Sequence, residues 1–379
     1  MRLFENIHID WLGKRKIFYA VSAIMFLIGV VNVALRGFQF GIDFKGGSEI
    51  VLQFDNAVDI AQVRNYVENI GLGSIEIKTF GGETGVMVRT ELQNIPADIY
   101  PRVVNNIETA VHDIYPGIPL RVVDSTESSI TYELPNADTT NSLVSKLFAQ
   151  GYQTGKVSEE PDNRQMVVNV GIAEWVKENL KTKMADNPFK VIKEDHVGPK
   201  VGKELKQDAV VAIIFSLIAI LVYLAFRFKF IFAFGAVLAL FHDVLITLGL
   251  YAALYGVIPG LNLEIDLTVV AAFLTLVGYS VNDTVIVFDR VRENMKIHKT
   301  MPLFDLLNMS INRTMSRTIL TGGTTLMATI VLLIFGGEVL RAFSFTLFFG
   351  VIIGTYSSIF VASALVLEYA SKSKKKVQF

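Results

Sequence analysis

The chain has 379 residues, 51% of them hydrophobic, and a mean hydropathy of +0.45. That is too apolar for a water-soluble protein of this length. It has no cysteine and only five scattered histidines. The sequence therefore predicts no disulfide, no metal-ligand spacing and no cofactor site. No nucleophile–base set or phosphate loop marks an enzyme, and the net charge of −1 suggests no nucleic-acid partner.

Taken in chain order, the first apolar run covers residues 17–35, after Lys14, Arg15 and Lys16. It is too long for a signal peptide and no small-residue cleavage site follows, so an uncleaved anchor is expected. Residues 36–207 then read as a water-soluble segment. Alternating residues 50–54 predict a strand, 59–71 a helix, 75–80 and 85–90 two strands around Gly81-Gly82, 99–115 a helix and 120–123 a strand. The order βαββαβ is that of a ferredoxin-like unit. It recurs as a strand at 129–134, a helix at 139–151, strands at 153–158 and 165–170, a helix at 173–184 and a strand at 189–194. Two tandem modules, 37–124 and 125–207, are the expected division; one larger α+β domain is the alternative. Five more apolar runs follow, at 209–226, 231–254, 267–288, 318–335 and 343–367.

The predicted fold is thus an α-helical membrane protein with six transmembrane helices and a ferredoxin-like α+β region between helices 1 and 2. Residues 1–36 form the N-terminus and first helix, 208–370 helices 2–6, and 371–379 a basic tail. Lys14–Lys16, Arg227 and Lys229, then Arg290, Arg292, Lys296, Lys299 and Arg313, and finally Lys372 and Lys374–Lys376 all fall on one side. The positive-inside rule places that side, with both termini, in the cytoplasm and the α+β region outside it. The basic tail suits an anionic lipid leaflet.

Candidate functional residues are the polar ones inside apolar runs. Asp283 lies about 9 Å from the middle of the fourth run. A carboxylate there costs several kcal/mol unless it has a partner or a proton, which points to ion or proton movement. Snorkelling to the headgroups is the plainer alternative, and the better one for Asp289. Tyr279 and Ser280 share a helix face with Asp283, and Asn282 and Thr284 flank it as supporting polar groups. Arg317, at the start of the fifth run, matches Asp283 in depth and is expected to pair with it; a headgroup anchor is its other reading. His242 and Asp243 sit near the middle of the third run, as a proton relay or as a fixed hydrogen-bonded pair. Gly350 and Gly354 form a small-xxx-small step for close helix packing.

Three motifs carry a resemblance. They are Gly41-Ile-Asp-Phe-Lys-Gly-Gly47, Val197-Gly-Pro-Lys-Val-Gly202 and the run 278–294, GYSVNDTVIVFDRVREN. With residues 312–318 and Thr324-Thr325-Leu326, in this order, the chain resembles the SecD/SecF family of protein-export membrane proteins, in the resistance-nodulation-division superfamily. The resemblance singles out Gly41, Asp43, Gly46 and Gly47 as a motif loop. It implies pairing with a SecD-type six-span subunit beside the SecYEG translocon in the bacterial inner membrane. It also implies use of the proton gradient to move unfolded polypeptide outward, with Asp283 as essential acid, Arg317 as essential base and a second acid from the partner. The soluble segment is longer than the family's usual one by about one module, so that module's role is not implied. Two rival functions remain: a proton-coupled exporter of small molecules or lipids, and a scaffold subunit that moves no protons.

Overall fold

The computed structural model describes residues 8–150, 152–258 and 261–373. Gly151 and the basic residues Lys374–Lys376 fall outside the described residues. The chain divides into two compact units, residues 1–41 with 204–379, and residues 42–203.

The first unit is helical. Its long helices are α1 (Arg15–Arg36), α7 (Pro199–Arg227), α8 (Phe230–Leu254), α9 (Leu267–Ile297), α10 (Leu303–Phe335) and α11 (Gly337–Ser357). A π-helical turn, Ser358–Ala362, continues α11 into a last helix, Ser363–Ser373. Among the described residues, six helical stretches are long and apolar enough to cross a membrane, at the expected places. The helices α9 and α10 outrun their apolar runs at the end where Arg290–Lys299 and Arg313 lie. Helix α9 begins where Asp266 accepts the Val269 N–H at 2.7 Å, a side-chain N-cap. Helices α1 and α8 touch at Gly29 and Gly249, where a Cβ on either would come within 2.9 Å of the other's backbone.

The second unit is α+β. It opens with one helical turn, α2 (Ile42–Lys45), and strand β1 (Gly47–Phe54). Then come α3 (Ile60–Val67), β2 (Ile75–Thr79), β3 (Gly85–Thr90), α4 (Tyr100–Ile114), β4 (Arg121–Ser125), β5 (Ser129–Glu133), α5 (Ala137–Ala149), β6 (Thr154–Lys156), β7 (Gln165–Asn169), α6 (Ile172–Lys183) and β8 (Phe189–Val197). Every predicted strand and helix is present. Asp59 and Asn136 cap α3 and α5 by accepting backbone N–H bonds from Ala61 and Thr139.

The strands, however, do not pair as the sequence order suggests. The two sheets run β2-β3-β1-β8 and β4-β5-β7-β6, antiparallel throughout. Each has the ferredoxin-like order, with the strand beside the first one exchanged. The strand expected to close the first sheet, β4, turns at once into a hairpin with β5. The last strand of the chain, β8, returns to pair with β1 from Gly47↔Val197 to Phe54↔Phe189. The expected boundary between residues 124 and 125 therefore falls inside the β4–β5 hairpin, next to its turn. Thr126 holds that turn, its Oγ1 accepting from the N–H groups of Ser128 and Ser129. A turn this short closes at little entropic cost, and β4 has nothing to bury elsewhere because all five of its residues are exposed. In contrast, β8 matches the whole length of β1. Helices α4 and α6 join the two sheets into one body. One continuous apolar core runs from Ile50, Leu52 and Val88 through Val103 and Ile107 to Tyr132, Leu143, Met166 and Leu180. Trp175 on α6 crosses it, donating its indole N–H to the Ile70 carbonyl at 2.8 Å.

The motif loop sits at the base of this unit, and its glycines allow backbone to meet backbone. Gly46 and Gly47 have φ of 77° and 107°. A Cβ on Gly47 would lie 2.2 Å from the Thr90 carbonyl oxygen. One on Gly46 would lie 3.1 Å from Pro199, and one on Gly202 3.2 Å from the Asp43 carbonyl oxygen. The two motifs that bracket the unit in sequence, 41–47 and 197–202, thus clasp each other through their main chains. Gly47→Ala is expected to cost about 2–3 kcal/mol, from strain and a clash that only backbone movement relieves. Gly81→Ala, strained by φ but facing open space, should cost about 1 kcal/mol. Chemical denaturation of the purified chain ranks the two. The strand exchange is checked by oxidising the pair Gln53→Cys and Lys190→Cys, which face each other across β1 and β8. This pair should form an intrachain disulfide; closure of Gln53→Cys with Val123→Cys instead would restore the sequential pairing.

Candidate functional site

The helical unit buries two carboxylates among hydroxyl groups. Asp283, on α9, is only 8% exposed. Its Oδ1 accepts from the Thr318 hydroxyl of α10 at 2.6 Å, and its Oδ2 from the Ser358 hydroxyl of the π turn at 2.8 Å. Asp243, on α8, is 1% exposed. Its Oδ2 accepts from Ser280 at 2.6 Å and from Ser357 at 2.7 Å, and its Oδ1 lies 3.0 Å from His242 Nδ1. A carboxyl group in either protonation state can accept such O–H···O bonds.

Two helices supply most of this geometry. Ser280 and Asp283 stand one turn apart on α9, so one points its hydroxyl at Asp243 while the other presents its carboxylate to α10. Ser357 and Ser358 are adjacent at the end of α11, and each reaches one of the two carboxylates. The approach of α11 to α9 depends on Gly350 and Gly354. A Cβ on Gly350 would lie 2.5 Å from Leu276, and one on Gly354 3.0 Å from Ser280. The small-xxx-small step of the sequence is therefore the face that lets Ser357 and Ser358 come within reach.

From His242 a second row of bonds leads to α1. Its Nε2 lies 3.0 Å from Ser22 Oγ, which lies 2.7 Å from the Tyr356 hydroxyl. That hydroxyl donates to the Phe18 carbonyl at 2.5 Å. The tyrosine ring also stacks on His242, with centroids 6.0 Å apart.

Several expected partners are placed differently. Arg317 is exposed on α10 and does not bond Asp283. Neighbouring residues project about 100° apart around a helix, so Thr318 rather than Arg317 meets the carboxylate. None of the supporting polar residues bonds Asp283 either. Ser280 turns to Asp243, Thr284 donates back to the Ser280 carbonyl at 3.4 Å, Asn282 is exposed, and Tyr279 lies beside Gly322. Gly41 is held in the helical unit, its N–H donating to the Ile265 carbonyl at 2.9 Å, whereas Asp43, Gly46 and Gly47 belong to the clasp of the α+β unit. Sequence reading missed Thr318, Ser357, Ser358, Ser22 and Tyr356. The adjacent serines inside an apolar run were the available signal. Among the described residues, no three or more His, Asp or Glu side chains cluster to hold a metal ion.

Comparison with known proteins agrees with this arrangement. A family model described as protein export membrane protein SecD/SecF, C-terminal, matches residues 176–372, and a SecD/SecF GG motif model matches residues 33–58. The protein translocase subunit SecF of Rhodothermus marinus is 36% identical over 98% of this chain and 97% of its own length. That of Koribacter versatilis is also 36% identical, over 97% of this chain and 93% of its own. The crystal structure of SecDF, a translocon-associated membrane protein from Thermus thermophilus, superposes with a TM-score of 0.67 at 28% identity. The match covers 98% of this chain but 40% of that one, so this chain spans two fifths of the solved SecDF length. A six-helix unit and a twin-sheet α+β region, both glycine motifs and full-length relatives lead to one assignment: the chain belongs to the SecD/SecF family of protein-export membrane proteins.

Proposed function

We propose that this chain is the proton-coupled subunit of a protein-export complex, working with a SecD-type partner beside the SecYEG translocon on unfolded polypeptide. The observation that carries this reading is Asp283. It is buried in a membrane-spanning helix, and both its oxygens accept from neutral hydroxyls rather than from a cation. Hydroxyls donate to a carboxylate and accept from a carboxylic acid, so the same pocket holds either protonation state. A carboxylate locked to a bonded arginine would resist protonation. Arg317, exposed one residue before Thr318, is free to meet an acid from the partner and to act on Asp283 at a distance. An exporter of small molecules has less support, because full-length relatives are named as translocase subunits.

In the proposed cycle Asp283 takes a proton from the outer side and releases it inward. A unit charge crossing 100 mV is worth about 2.3 kcal/mol, enough to bias two conformations that differ by a few kcal/mol. The α+β region, outside the cytoplasm in this reading, moves with those conformations and acts on the emerging chain.

Asp283→Asn is isosteric and should leave folding and partner association intact. It should remove gradient-stimulated export into inverted membrane vesicles, a loss of at least about tenfold for a step costing 1.4 kcal/mol or more. A full response to the gradient in Asp283→Asn vesicles would support the scaffold reading instead. Arg317→Lys keeps the charge but loses the planar fork, and should retain a minor part of the stimulation. Orientation is tested with single cysteines in the cysteine-free chain. Asp162→Cys, exposed in the α+β unit, should react with an impermeant thiol reagent from outside the cytoplasmic membrane, and Lys299→Cys should not. The reverse labelling would overturn the topology.

A further inference from the structure

Counting protons along the bonds from α1 to α8 leaves the row two arrangements. The Tyr356 hydroxyl has a single proton and two neighbours, the Phe18 carbonyl, which only accepts, and Ser22. In the first arrangement that proton is on the carbonyl, so Tyr356 accepts from Ser22 and spends the serine's only proton. Ser22 can then only accept from His242, so Nε2 carries a hydrogen. A further proton lies in the 3.0 Å contact between His242 Nδ1 and Asp243 Oδ1, on the imidazole as His⁺ or on the carboxyl as a neutral acid. Ser280 and Ser357 both donate into the other oxygen, Oδ2, and leave Oδ1 for the histidine. The pair as a whole is electrically neutral, which suits its burial in an apolar bundle.

We infer that the His242–Asp243 pair is a second proton store on this chain, and that the Tyr356–Phe18 bond reports whether it is loaded. This rests on the proton-coupled reading above. Removal of the shared proton leaves Asp243 ionised and His242 neutral. The one remaining imidazole hydrogen then goes to Oδ1, the nearest negative charge. Nε2 becomes an acceptor, Ser22 must donate to it, and Tyr356 must donate to Ser22. The tyrosine proton leaves the Phe18 carbonyl. No heavy atom has to travel; the serine and tyrosine hydroxyls rotate, the imidazole hydrogen ends on Nδ1, and one proton leaves. Loading ties Tyr356 on α11 to α1 at two points, Phe18 and Ser22, and unloading leaves the Ser22 bond alone. Ser22 and Tyr356 are positioning residues in this scheme, and Asp243 with His242 is the store.

The groups around the store are the Tyr356 phenol and the Ser357 hydroxyl on α11, the Ser22 hydroxyl on α1, and the Ser280 hydroxyl on α9 with Asp283 one turn beyond it. Tyr356→Phe removes the report without removing the store.

The test is infrared difference spectroscopy of the chain in complex with its partner subunit, comparing high and low pH. Wild type should show a change in the tyrosine C–O band as the phenol switches partners. That change should vanish in Tyr356→Phe and in Asp243→Asn, and persist in Asp283→Asn. Ser22→Ala should also abolish it, because the row is cut between histidine and tyrosine. Correct folding of each variant is checked by copurification of the partner. A tyrosine band change that survives Asp243→Asn, or its absence in wild type, overturns the inference. In vesicles, Tyr356→Phe should keep a gradient response with a pH profile displaced from wild type, while Asp243→Asn loses the response. An unmoved profile in Tyr356→Phe would reduce the row to a structural tie. Failure of the proton-coupled reading shows separately, as a full gradient response in Asp283→Asn.

Discussion

Everything in the helical unit follows from the cost of placing carboxylates where there is no water. A charge at the centre of a membrane helix costs at least about 3 kcal/mol on insertion scales. The chain meets that cost with hydroxyls from neighbouring helices, two for each aspartate, and among the described residues no arginine or lysine bonds either one. Hydroxyls stay neutral in either state of the acid and can reverse the direction of a bond. Bonded arginine would be cheaper for the ionised state alone. In the proton-coupled reading, Ser280, Thr318, Ser357 and Ser358 suit either protonation state of the two acids.

Hydroxyls are short, so this solution demands close helices. That demand explains the glycines. Gly350 and Gly354 bring α11 onto Leu276 and Ser280, and the π turn that follows sets Ser357 and Ser358 toward different acceptors. Each of these serines also lies within bonding distance of a carbonyl three residues earlier, Gly354 at 3.1 Å and Thr355 at 2.9 Å. A hydroxyl with one proton and two acceptors is a switch that needs only a rotation. The extra residue of a π turn leaves carbonyls unmatched, and Ser363 compensates with both its N–H and its hydroxyl on Ser358 O. The same logic of close approach appears in the α+β unit, where Gly46, Gly47 and Gly202 allow main chains to touch.

The sequence was legible where the signal was periodic and local. Apolar runs marked the six helices, and alternation and helical spacing marked each strand and helix between residues 47 and 197. Charge in an apolar run singled out Asp283 and Asp243. The partners were not legible, because partnership is tertiary. Nothing local distinguishes β4 from a strand that closes the first sheet; the three-residue turn and its exposed faces decide for the hairpin. Arg317 looked like the partner of Asp283 by depth alone, while the helical phase of α10 gives that place to Thr318. Depth along a span can be counted in residues, but azimuth depends on how neighbouring helices pack.

The π turn is also where the N-terminal segment is fastened. Asn308 accepts from the backbone N–H groups of Trp11 and Leu12, and Asn312, one turn further along α10, exchanges bonds with Ile9 and the Trp11 indole. Trp11 then meets Phe360 edge-on at 6.1 Å, and Phe18 stacks on the same ring at 3.7 Å. Arg15 closes the contact with Glu368 at 2.9 Å. So the turn that carries Ser358 toward Asp283 is held on its other face by the segment leading into α1. Aromatic stacking fixes the position of that turn but leaves its serine hydroxyls free to rotate. In the proton-coupled reading, protons are handled by rotation within a rigid frame built largely from asparagine, tryptophan and phenylalanine contacts that do not titrate.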